Sequence, residues 1–542
     1  MMAARLARGA RSVLLARPSG LAHLARPSGL AHRALIRPLS TAVVPPIDDE
    51  AAWEASWLKA TEDVYDSSRT FEESAEGLRQ LIKTGLLRHT DLRDRPERFF
   101  KAHRLLARHA VQHGPGFWIR FTVHYNLCFG TVLAVGTPEQ IESMETVEAE
   151  GLLGCFALTE KLAGVQSGLI VQTKATYDSE SQTFTLTNVK GDDKGAYKNW
   201  ISQGHVADKT VVLADLTVNN ERKGPHAFLM DLRKDGVNYP GVSTGDMGIK
   251  TVGNDLDNAW IAFDKVKLPR TALLSRYAEI DASTGDYKQV EAGIKPFEMI
   301  GQRLYTGRVA VAQAALSYRR KLFEDTKAYA DNKRIPSFVG SEPLHLSSIP
   351  QLKSLFEEAE ETAAALEAYV SGCELELTPL LKAGEVPSEA LAHKIAVAKV
   401  KAVEHSIDLC WRLKQEVGSY ALMGDSGFGS MDFLQCCKFA EGDSRVLMLK
   451  MARDRLRRFG KEMKSKTPVA LGEEEEAALC GQLAKALGAA KGDKAMEASI
   501  LEGEWRLVYG LAESIMSRTL VQAEAEELLA AETEKAALKV AN

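Results

Sequence analysis

Residues 155–204 decide the fold, because this stretch joins two loop-like sequences through a pair of strand-like segments. It begins CFALTEKLAGVQSG and ends KNWISQG. Between these loops, residues 171–177 and 183–189 alternate apolar or β-branched residues with polar ones, and DSESQ lies between them, which predicts a β-hairpin. Gly164 and Gly204 lack the Cβ that would keep a large planar ligand away from the backbone. The stretch therefore predicts a ligand-binding face built on a hairpin.

The composition is that of a large globular protein. The chain has 542 residues, of which 45% are hydrophobic, so it can bury a substantial core in two or three domains. Charged residues make up 26%, and the formal net charge of -5 gives no electrostatic reason to expect nucleic acid as a partner. No continuous apolar run is long enough to span a bilayer, so we expect a soluble protein without integral membrane contact.

The cysteines and histidines show no ligand or disulfide pattern. The seven cysteines contain no CxxC spacing and no paired Cys/His framework, which argues against a disulfide scaffold and a zinc site. Cys436 and Cys437 are either a redox pair or two buried small residues. His393 and His405 have no carboxylate or cysteine partners at ligand spacing, so the sequence predicts no metal site.

The first 45 residues differ in composition from the rest of the chain. They contain seven arginines, no lysine and no acidic residue, as is typical of an organelle transit peptide. RPLSTA at residues 37–42 resembles a mitochondrial processing site with cleavage near Ser40. We therefore expect a mitochondrial matrix location, with the peroxisome or plastid, or a disordered tail without an address, as alternatives. The final residues, KVAN, are not a peroxisomal signal of the SKL type.

Hydrophobic periodicity divides the remaining chain into an α+β succession. Residues 46–153 show apolar positions at intervals of three and four, which predicts an N-terminal helical domain. Residues 154–278 are rich in short β-branched segments between polar turns, which predicts a central β domain. Long helical patterns return over residues 279–465, and an acidic, Ala-rich helical tail occupies residues 466–542.

The order of three motifs resembles that of the acyl-CoA dehydrogenase and acyl-CoA oxidase superfamily. LTEKLAG is followed about forty residues later by WISQG, and EGD occurs at residues 441–443 before a helical pattern. EGD favours the oxidase branch over the EGT pattern of the dehydrogenases. The resemblance covers most of the chain up to Arg458, and it implies a helical domain, a central β-barrel or sandwich and a helical bundle that enclose FAD and an acyl-CoA.

Glu441 is the candidate catalytic base. Removing a proton beside a thioester requires a rigidly held carboxylate on one face of the substrate and a hydride acceptor on the other. Glu441 precedes the flexible Gly442, and Asp443 or Ser444 can cap the following helix. The resemblance assigns proton abstraction to Glu441 and substrate binding to Gly442 and Arg303. The alternatives are a helix-capping role for Glu441 and an ion pair for Arg303.

The resemblance also implies which residues contact the flavin ring. Thr159 matches the threonine that contacts the isoalloxazine, Trp200 the tryptophan that packs against it, and Ser202 a hydroxyl near its reactive nitrogen. Gly164 and Gly204 complete the predicted cofactor-binding face. Trp-Ile-Ser-Gln-Gly departs from the Trp-Pro-Gly-Gly of typical oxidases, and the TEKLAG loop is about one residue shorter than usual.

The diphosphate end of FAD is expected at a subunit interface, so we expect a homodimer or homotetramer. Arg334 resembles the arginine that contacts the pyrophosphate. SYALMGDSGFG, with Gly424 and Gly427, resembles the glycine-rich loop that a neighbouring subunit supplies, and backbone amides suit a diphosphate. Asp425 replaces the second glycine of that loop, where a carboxylate is unfavourable unless it turns away.

The implied reaction is α,β-dehydrogenation of an acyl-CoA to the trans-2-enoyl-CoA in fatty-acid β-oxidation. In an oxidase, O₂ then accepts the electrons and hydrogen peroxide is released. In a dehydrogenase, an electron-transfer flavoprotein accepts them. A hypothesis of another class is a catalytically silent member of the superfamily that acts as a scaffold. Composition and spacing do not choose between the oxidase and the dehydrogenase. The presence of Glu441 argues against the scaffold, whereas Asp425 and the shortened TEKLAG loop argue for it.

Overall fold

A computed structural model describes residues 49–541, except 63–68, 114, 166, 168, 189–195, 291–295, 338–339, 341 and 491. The side chains at 111–113, 296–300, 302–303 and 527–541 are also outside the description. The predicted transit peptide at residues 1–45, with its cleavage position near Ser40, therefore lies outside the described residues.

The N-terminal part is helical, as its periodicity predicts. Thr70 and Glu73 form a capping box at the start of one helix, and Thr137 and Gln140 form another with Pro138 at the first helical position. The α-helices are α1 (Glu50–Thr61), α2 (Phe71–Lys83), α3 (Asp91–Asp94), α4 (Pro96–His113), α5 (Gly116–Thr122), α6 (Gly130–Val135), α7 (Pro138–Glu142) and α8 (Met144–Glu150).

A π-helix, Val123–Phe129, joins α5 to α6. All but one of its seven residues are buried. Cys128 and Phe129 pack in one hydrophobic cluster with residues of the β-rich part, including Val211 and Leu213. The π-helix is therefore one of the contacts between the N-terminal helices and the sheet, and such segments occur frequently at functional sites.

The middle of the chain is β-rich. The predicted hairpin is confirmed, although its two strands are shorter than the alternating sequence. Asn219 and Asn220 have φ values of +51° and +62°, which suits the tight turn of a second hairpin. The strands are β1 (Gly154–Ala157), β2 (Lys174–Asp178), β3 (Thr183–Thr187), β4 (Lys198–Ser202), β5 (Lys209–Val218), β6 (Glu221–Asp231), β7 (Arg233–Lys234), β8 (Val237–Asn238), β9 (Val242–Asp246), β10 (Asn258–Phe263), β11 (Val266–Pro269), β12 (Ala278–Ile280) and β13 (Tyr287–Gln289).

Two sheets form the centre of this region. In the larger, the order is β1-β5-β2-β3-β11, and β6 pairs along β5. Strand β5 is ten residues long, so β1 pairs in parallel with its first half and β2 with its second. The smaller sheet has the order β4-β10-β9 and is antiparallel. It carries the WISQG segment at the end of β4.

The C-terminal part returns to helices, so the predicted α+β class and the order of helical, β-rich and helical parts are confirmed. The long helix Pro296–Asn332 packs against α4 and against the helices Pro350–Ala383 and Glu389–Glu416, and Ser444–Ser465 packs against the tail helix Trp505–Ala541. No helix in the described part of the chain is long and apolar enough to cross a membrane. The elements are α9 (Pro296–Asn332), β14 (Arg334–Ile335), β15 (Leu344–His345), α10 (Pro350–Ala383), α11 (Glu389–Glu416), α12 (Asp432–Phe439), α13 (Ser444–Ser465), α14 (Glu474–Leu487), α15 (Lys494–Gly503) and α16 (Trp505–Ala541).

Candidate active site

Glu441 lies in a tight turn between α12 and α13. Its φ is +57° and that of Gly442 is +96°, so two successive residues have left-handed backbone. A residue other than glycine has a strained backbone at such a φ, and strain of this kind clusters at functional sites. Asp443 caps α13 by accepting a hydrogen bond from the Arg445 amide at 2.7 Å. The alternative that Glu441 is the capping acid is therefore wrong.

The Glu441 carboxylate is buried between helices, with only 9% of the residue exposed. Its Oε1 accepts a hydrogen bond from Asn126 Nδ2 at 3.2 Å. Its Oε2 has no hydrogen-bond partner among the described residues. Burial raises the pKa of this carboxyl from 4.5 to about 7, although Arg308, the Asn126 amide and Lys399 each act to lower it. One oxygen is therefore held, and the other is available to accept a proton.

The absence of a side chain at Gly307 makes room for this carboxylate. A Cβ added at Gly307 would lie 2.6 Å from Glu441 Cγ, and closer still to the carboxylate carbon. Ordinary carbon contacts are about 3.5–4.0 Å. Gly307 lies in α9 and Asn126 in the π-helix, so two distant parts of the sequence shape the space around Glu441.

Two cations hold the backbone of the same turn. Arg308 Nε donates to the Glu441 carbonyl oxygen at 3.0 Å. Lys399 Nζ donates to the Gly442 carbonyl oxygen at 3.0 Å. The strained turn thus has bonded partners on two helices, α9 and α11.

The predicted flavin-contacting segments lie side by side. Thr159 O accepts from the Asn199 amide at 2.9 Å, and Lys161 N donates to Tyr197 O at 2.9 Å. Glu160 and Lys198 form a fully buried ion pair at 2.8 Å between the two segments. The TEKLAG and WISQG sequences, forty residues apart, therefore form one surface, and Thr159 is exposed on it.

Trp200 projects from this surface because the strand is irregular there. The register between β4 and β10 shifts between Ala259 and Ile261, and Trp200 lies at that irregularity with φ +56° and 55% exposure. Bulges of this type redirect side chains next to active sites. Ser202 is half-buried, and its Oγ accepts a hydrogen bond from Asn258 Nδ2 at 3.1 Å.

The two glycines of this surface have different surroundings. A Cβ at Gly164 would meet no atom within 4 Å, so that position is open. A Cβ at Gly204 would lie 3.0 Å from both Ala259 Cβ and Ile201 O. Tight packing of β4 on β10 therefore also explains why residue 204 is a glycine, as an alternative to the predicted close approach of a ligand.

The π-helix connects the surface to the candidate base. Its Asn126 donates to Glu441, while His124 Nδ1 accepts from the Gly154 amide at 3.1 Å, at the start of β1. Strand β1 then leads directly to Thr159. One buried segment thus contacts both the Glu441 carboxylate and the strand that precedes the TEKLAG loop.

The candidate diphosphate groups lie along the C-terminal half of α9 and just beyond it. Arg334 lies on β14, immediately after α9, and its Nη1 is 2.8 Å from His345 Nε2. Tyr318 of α9 donates to the Gly427 carbonyl at 3.0 Å, and Tyr329 stacks on Tyr420 at 3.8 Å. Gly427 has φ +82° in this loop.

The remaining predicted features of this region are on the surface or outside the description. Gly424 is exposed, with open space around its Cα, and Asp425 is exposed beside it. The side chain of Arg303 lies outside the described residues, so its predicted contact with CoA stays a prediction.

Cys437 is buried, and burial raises the pKa of the half-buried Cys436 thiol to about 11, as expected for two unreactive small residues. Among the described residues no cluster suits a metal ion.

Four residues of the site are absent from the sequence prediction: Asn126, Gly307, Arg308 and Lys399. Asn126 follows no motif, because a π-helix has no recognised periodicity in the sequence. The burial of Lys399 could have been predicted from the sequence, because Lys399 lies four residues from both Ile395 and Val403 on the buried face of α11. A lysine on such an apolar face indicates a buried cation with specific partners.

The resemblance to the acyl-CoA oxidase and acyl-CoA dehydrogenase superfamily is confirmed by comparison with known proteins. The chain is similar to acyl-coenzyme A oxidase 2 of Yarrowia lipolytica, with 29% identity over 415 residues that cover 72% of this chain and 57% of that protein. The chain spans about half the length of the curated relatives it matches. No family model matches the sequence.

Solved structures show the same fold. The crystal structure of acyl-CoA oxidase 3 from Yarrowia lipolytica matches with a TM-score of 0.71 at 20% identity, covering 89% of this chain and 75% of that one. Acyl-CoA oxidase-2 of Caenorhabditis elegans, bound with FAD, ascaroside-CoA and ATP, matches with a TM-score of 0.70 at 18% identity, covering 87% and 76%.

Proposed function

We propose that this protein is an FAD-dependent acyl-CoA oxidase that converts an acyl-CoA to the trans-2-enoyl-CoA, with Glu441 as the base. The single observation that carries the proposal is the buried Glu441 carboxylate with one bonded oxygen and one oxygen without a partner among the described residues. The sequence relatives are acyl-CoA oxidases, which favours O₂ over an electron-transfer flavoprotein as the final acceptor.

Glu441 has the properties that proton abstraction requires. Its pKa of about 7 makes it a stronger base than an ordinary glutamate while leaving a large ionised fraction near neutral pH. Burial excludes water, which would otherwise solvate the carboxylate and weaken its interaction with the substrate proton. The Glu441 backbone N–H, fixed in the same turn, is our candidate donor to the thioester oxygen as negative charge develops there.

The surface of TEKLAG and WISQG fits a flavin. Leu162, Val165 and Trp200 are between 55% and 62% exposed, so this surface offers apolar contact area. Thr159 and Ser202 add hydroxyl groups, as required by a planar ring with polar edges. We propose that these residues hold FAD, which when bound supplies the hydride acceptor for the β carbon. Arg334 and the loop around Gly427 are our candidates for binding the diphosphate of FAD. Gly442 and Arg303 are our candidates for binding the acyl-CoA substrate.

The experiment that tests this function uses the purified, flavin-loaded protein. It is mixed anaerobically with acyl-CoAs of increasing chain length, the flavin absorbance is followed, and O₂ is then admitted. An oxidase loses the flavin absorbance and regains it in O₂ with one peroxide per turnover. Recovery only with an electron-transfer flavoprotein would identify a dehydrogenase, and no bleaching with any acyl-CoA would leave the scaffold hypothesis.

The proposed assembly and location have tests of their own. We propose a homodimer or homotetramer, because exposed Leu422 and Met423 lie next to the glycine-rich loop and provide apolar surface for a second copy. Light scattering of the flavin-loaded protein measures this state. We also propose import into mitochondria, with peroxisome and plastid as alternatives, on the composition of residues 1–45. A fusion of those residues to a fluorescent protein reports the compartment.

A further inference from the structure

The turn that presents Glu441 is held by bonds to two consecutive carbonyl groups. Arg308 Nε of α9 donates to Glu441 O, and Lys399 Nζ of α11 donates to Gly442 O, each at 3.0 Å. Both carbonyls belong to residues with positive φ, a conformation that glycine adopts freely but that strains the backbone at Glu441. The two donors come from different helices, which restricts the turn from two directions.

Lys399 also joins the two helix ends that flank the turn. Its Nζ donates to Lys438 O in the last turn of α12 at 2.6 Å and to Ser444 Oγ, at the first residue of α13, at 3.1 Å. With Gly442 O, these three acceptors match the three N–H groups of an ammonium. Lys399 is fully buried, so the ion pays a desolvation cost that these bonds offset.

Helix α11 also forms a bond to the side chain of Lys438, in addition to the bond from Lys399 to its carbonyl oxygen. Lys438 Nζ donates to Glu404 Oε2 at 2.9 Å, and Glu404 lies five residues after Lys399 on α11. The C-terminal end of α12 is thereby attached to α11 through both the carbonyl and the ammonium of one residue. The position of the turn after α12 is fixed relative to α11 rather than by local sequence alone.

We propose that Lys399 and Arg308 are positioning residues for the catalytic base, because together they hold the Glu441–Gly442 turn from two helices. The proposal rests on the proposed function for its catalytic meaning, but its structural part concerns the carboxyl itself. Among the residues whose side chains the structure describes, Arg308 and Lys399 are the charged groups that act on the Glu441 carboxyl, and Asn126 bonds to it. Those that face Lys399 are Asp443, Cys437, Arg308 and Glu404.

The test measures the Glu441 carboxyl directly. Infrared difference spectra of the flavin-loaded protein are recorded against pH, and the protonated carboxyl band of Glu441 is identified by its loss in Glu441→Gln. This band reports the carboxyl and not an amine, which matters because burial also lowers the pKa of Lys399 to about 7. Lys399→Met is compared with Lys401→Met, since Lys401 lies on the same helix but pairs with Glu513 of α16.

In Lys399→Met we expect the midpoint of the Glu441 band to rise by roughly one pH unit, because a nearby cation that favoured the carboxylate is gone. Lys401→Met should titrate as the wild type does. With an acyl-CoA, Lys399→Met should lower the flavin-reduction rate about 10²-fold at saturating substrate and leave the substrate dissociation constant unchanged. A purely structural role would not move the carboxyl midpoint.

An unchanged midpoint in a folded Lys399→Met would overturn the inference. If this variant does not fold, Arg308→Gln and Lys401→Met decide: the first should raise the midpoint, the second should not, and equal midpoints would overturn the inference. A protein that shows the predicted midpoints but never reduces its flavin would refute the proposed function alone. A wild type that reduces its flavin, with a midpoint insensitive to both cations, would refute the inference alone.

Discussion

Gly307→Ala tests the position of the catalytic carboxylate with the smallest possible change. The added Cβ would lie 2.6 Å from Glu441 Cγ, whereas carbon contacts are normally about 3.5 Å or longer, so the side chain must move by at least about 1 Å. The obstructed group is the end of a flexible side chain, so the helix can fold. In a helix interior, Ala is more favourable than Gly by about 0.5–1 kcal/mol, so the substitution does not weaken the helix itself.

A displacement of about 1 Å between reacting groups can lower a rate about 10²-fold, which corresponds to about 2.7 kcal/mol in the barrier. We therefore expect Gly307→Ala to bind flavin and acyl-CoA normally and to reduce its flavin about 10²-fold more slowly in anaerobic stopped-flow experiments. Gly372→Ala on α10 is the matched control, because its added Cβ meets nothing within 4 Å. A Gly307→Ala protein that reacts at the rate of the wild type would refute the assigned position of the base.

Five further outcomes are expected. The flavin-reduction rate should rise with pH through a midpoint near 7, because burial raises the Glu441 pKa to about 7 and only the carboxylate accepts a proton. The same raised pKa lowers the free energy of unfolding of the wild type as pH rises from about 4.5 to 7, because the folded protein holds a proton that the unfolded chain has lost. Glu441→Gln should therefore be more stable than the wild type above pH 7, by up to about 3 kcal/mol in urea unfolding. Below pH 4 the two proteins should be equally stable. Asn126→Leu should move the midpoint of the rate upward, since it removes the bond to Oε1; an unmoved midpoint would show that this bond is not formed. Lys198→Met leaves the buried Glu160 carboxylate without its cation and should cost about 3–5 kcal/mol of stability, whereas a cost below 1 kcal/mol would show that the pair is solvated. Asp425→Gly should slow the loss of FAD in dialysis if a diphosphate lies at this loop, and an unchanged rate would place the diphosphate elsewhere.

The fold was predictable where the sequence pattern is local. Alternation in residues 171–189 predicts the β2–β3 hairpin, and Thr137 followed by Pro138 predicts the start of α7. The topology was not predictable in the same way. That β1 and β2 both pair in parallel with the single long strand β5 depends on contacts between distant segments, which no local period encodes.

The site was predictable only in the parts that carry motifs. Thr159, Trp200 and Glu441 lie in recognisable sequences, and the structure brings the first two onto one surface. Asn126 and Gly307 gain their importance from where the carboxylate of Glu441 lies, and this is a tertiary property. Each is an ordinary residue in its own helix, so only the three-dimensional structure indicates its role.

The most direct test of the central claim is the rate constant for anaerobic flavin reduction by an acyl-CoA in the wild type and in Glu441→Gln. The glutamine keeps the shape of the side chain and can still occupy the space beside Gly307, but it cannot accept the α proton. We predict that flavin content and acyl-CoA affinity stay unchanged and that the rate constant falls by about 10²–10⁴-fold. Reduction of the flavin by Glu441→Gln at the wild-type rate would contradict the assignment of Glu441 as the catalytic base.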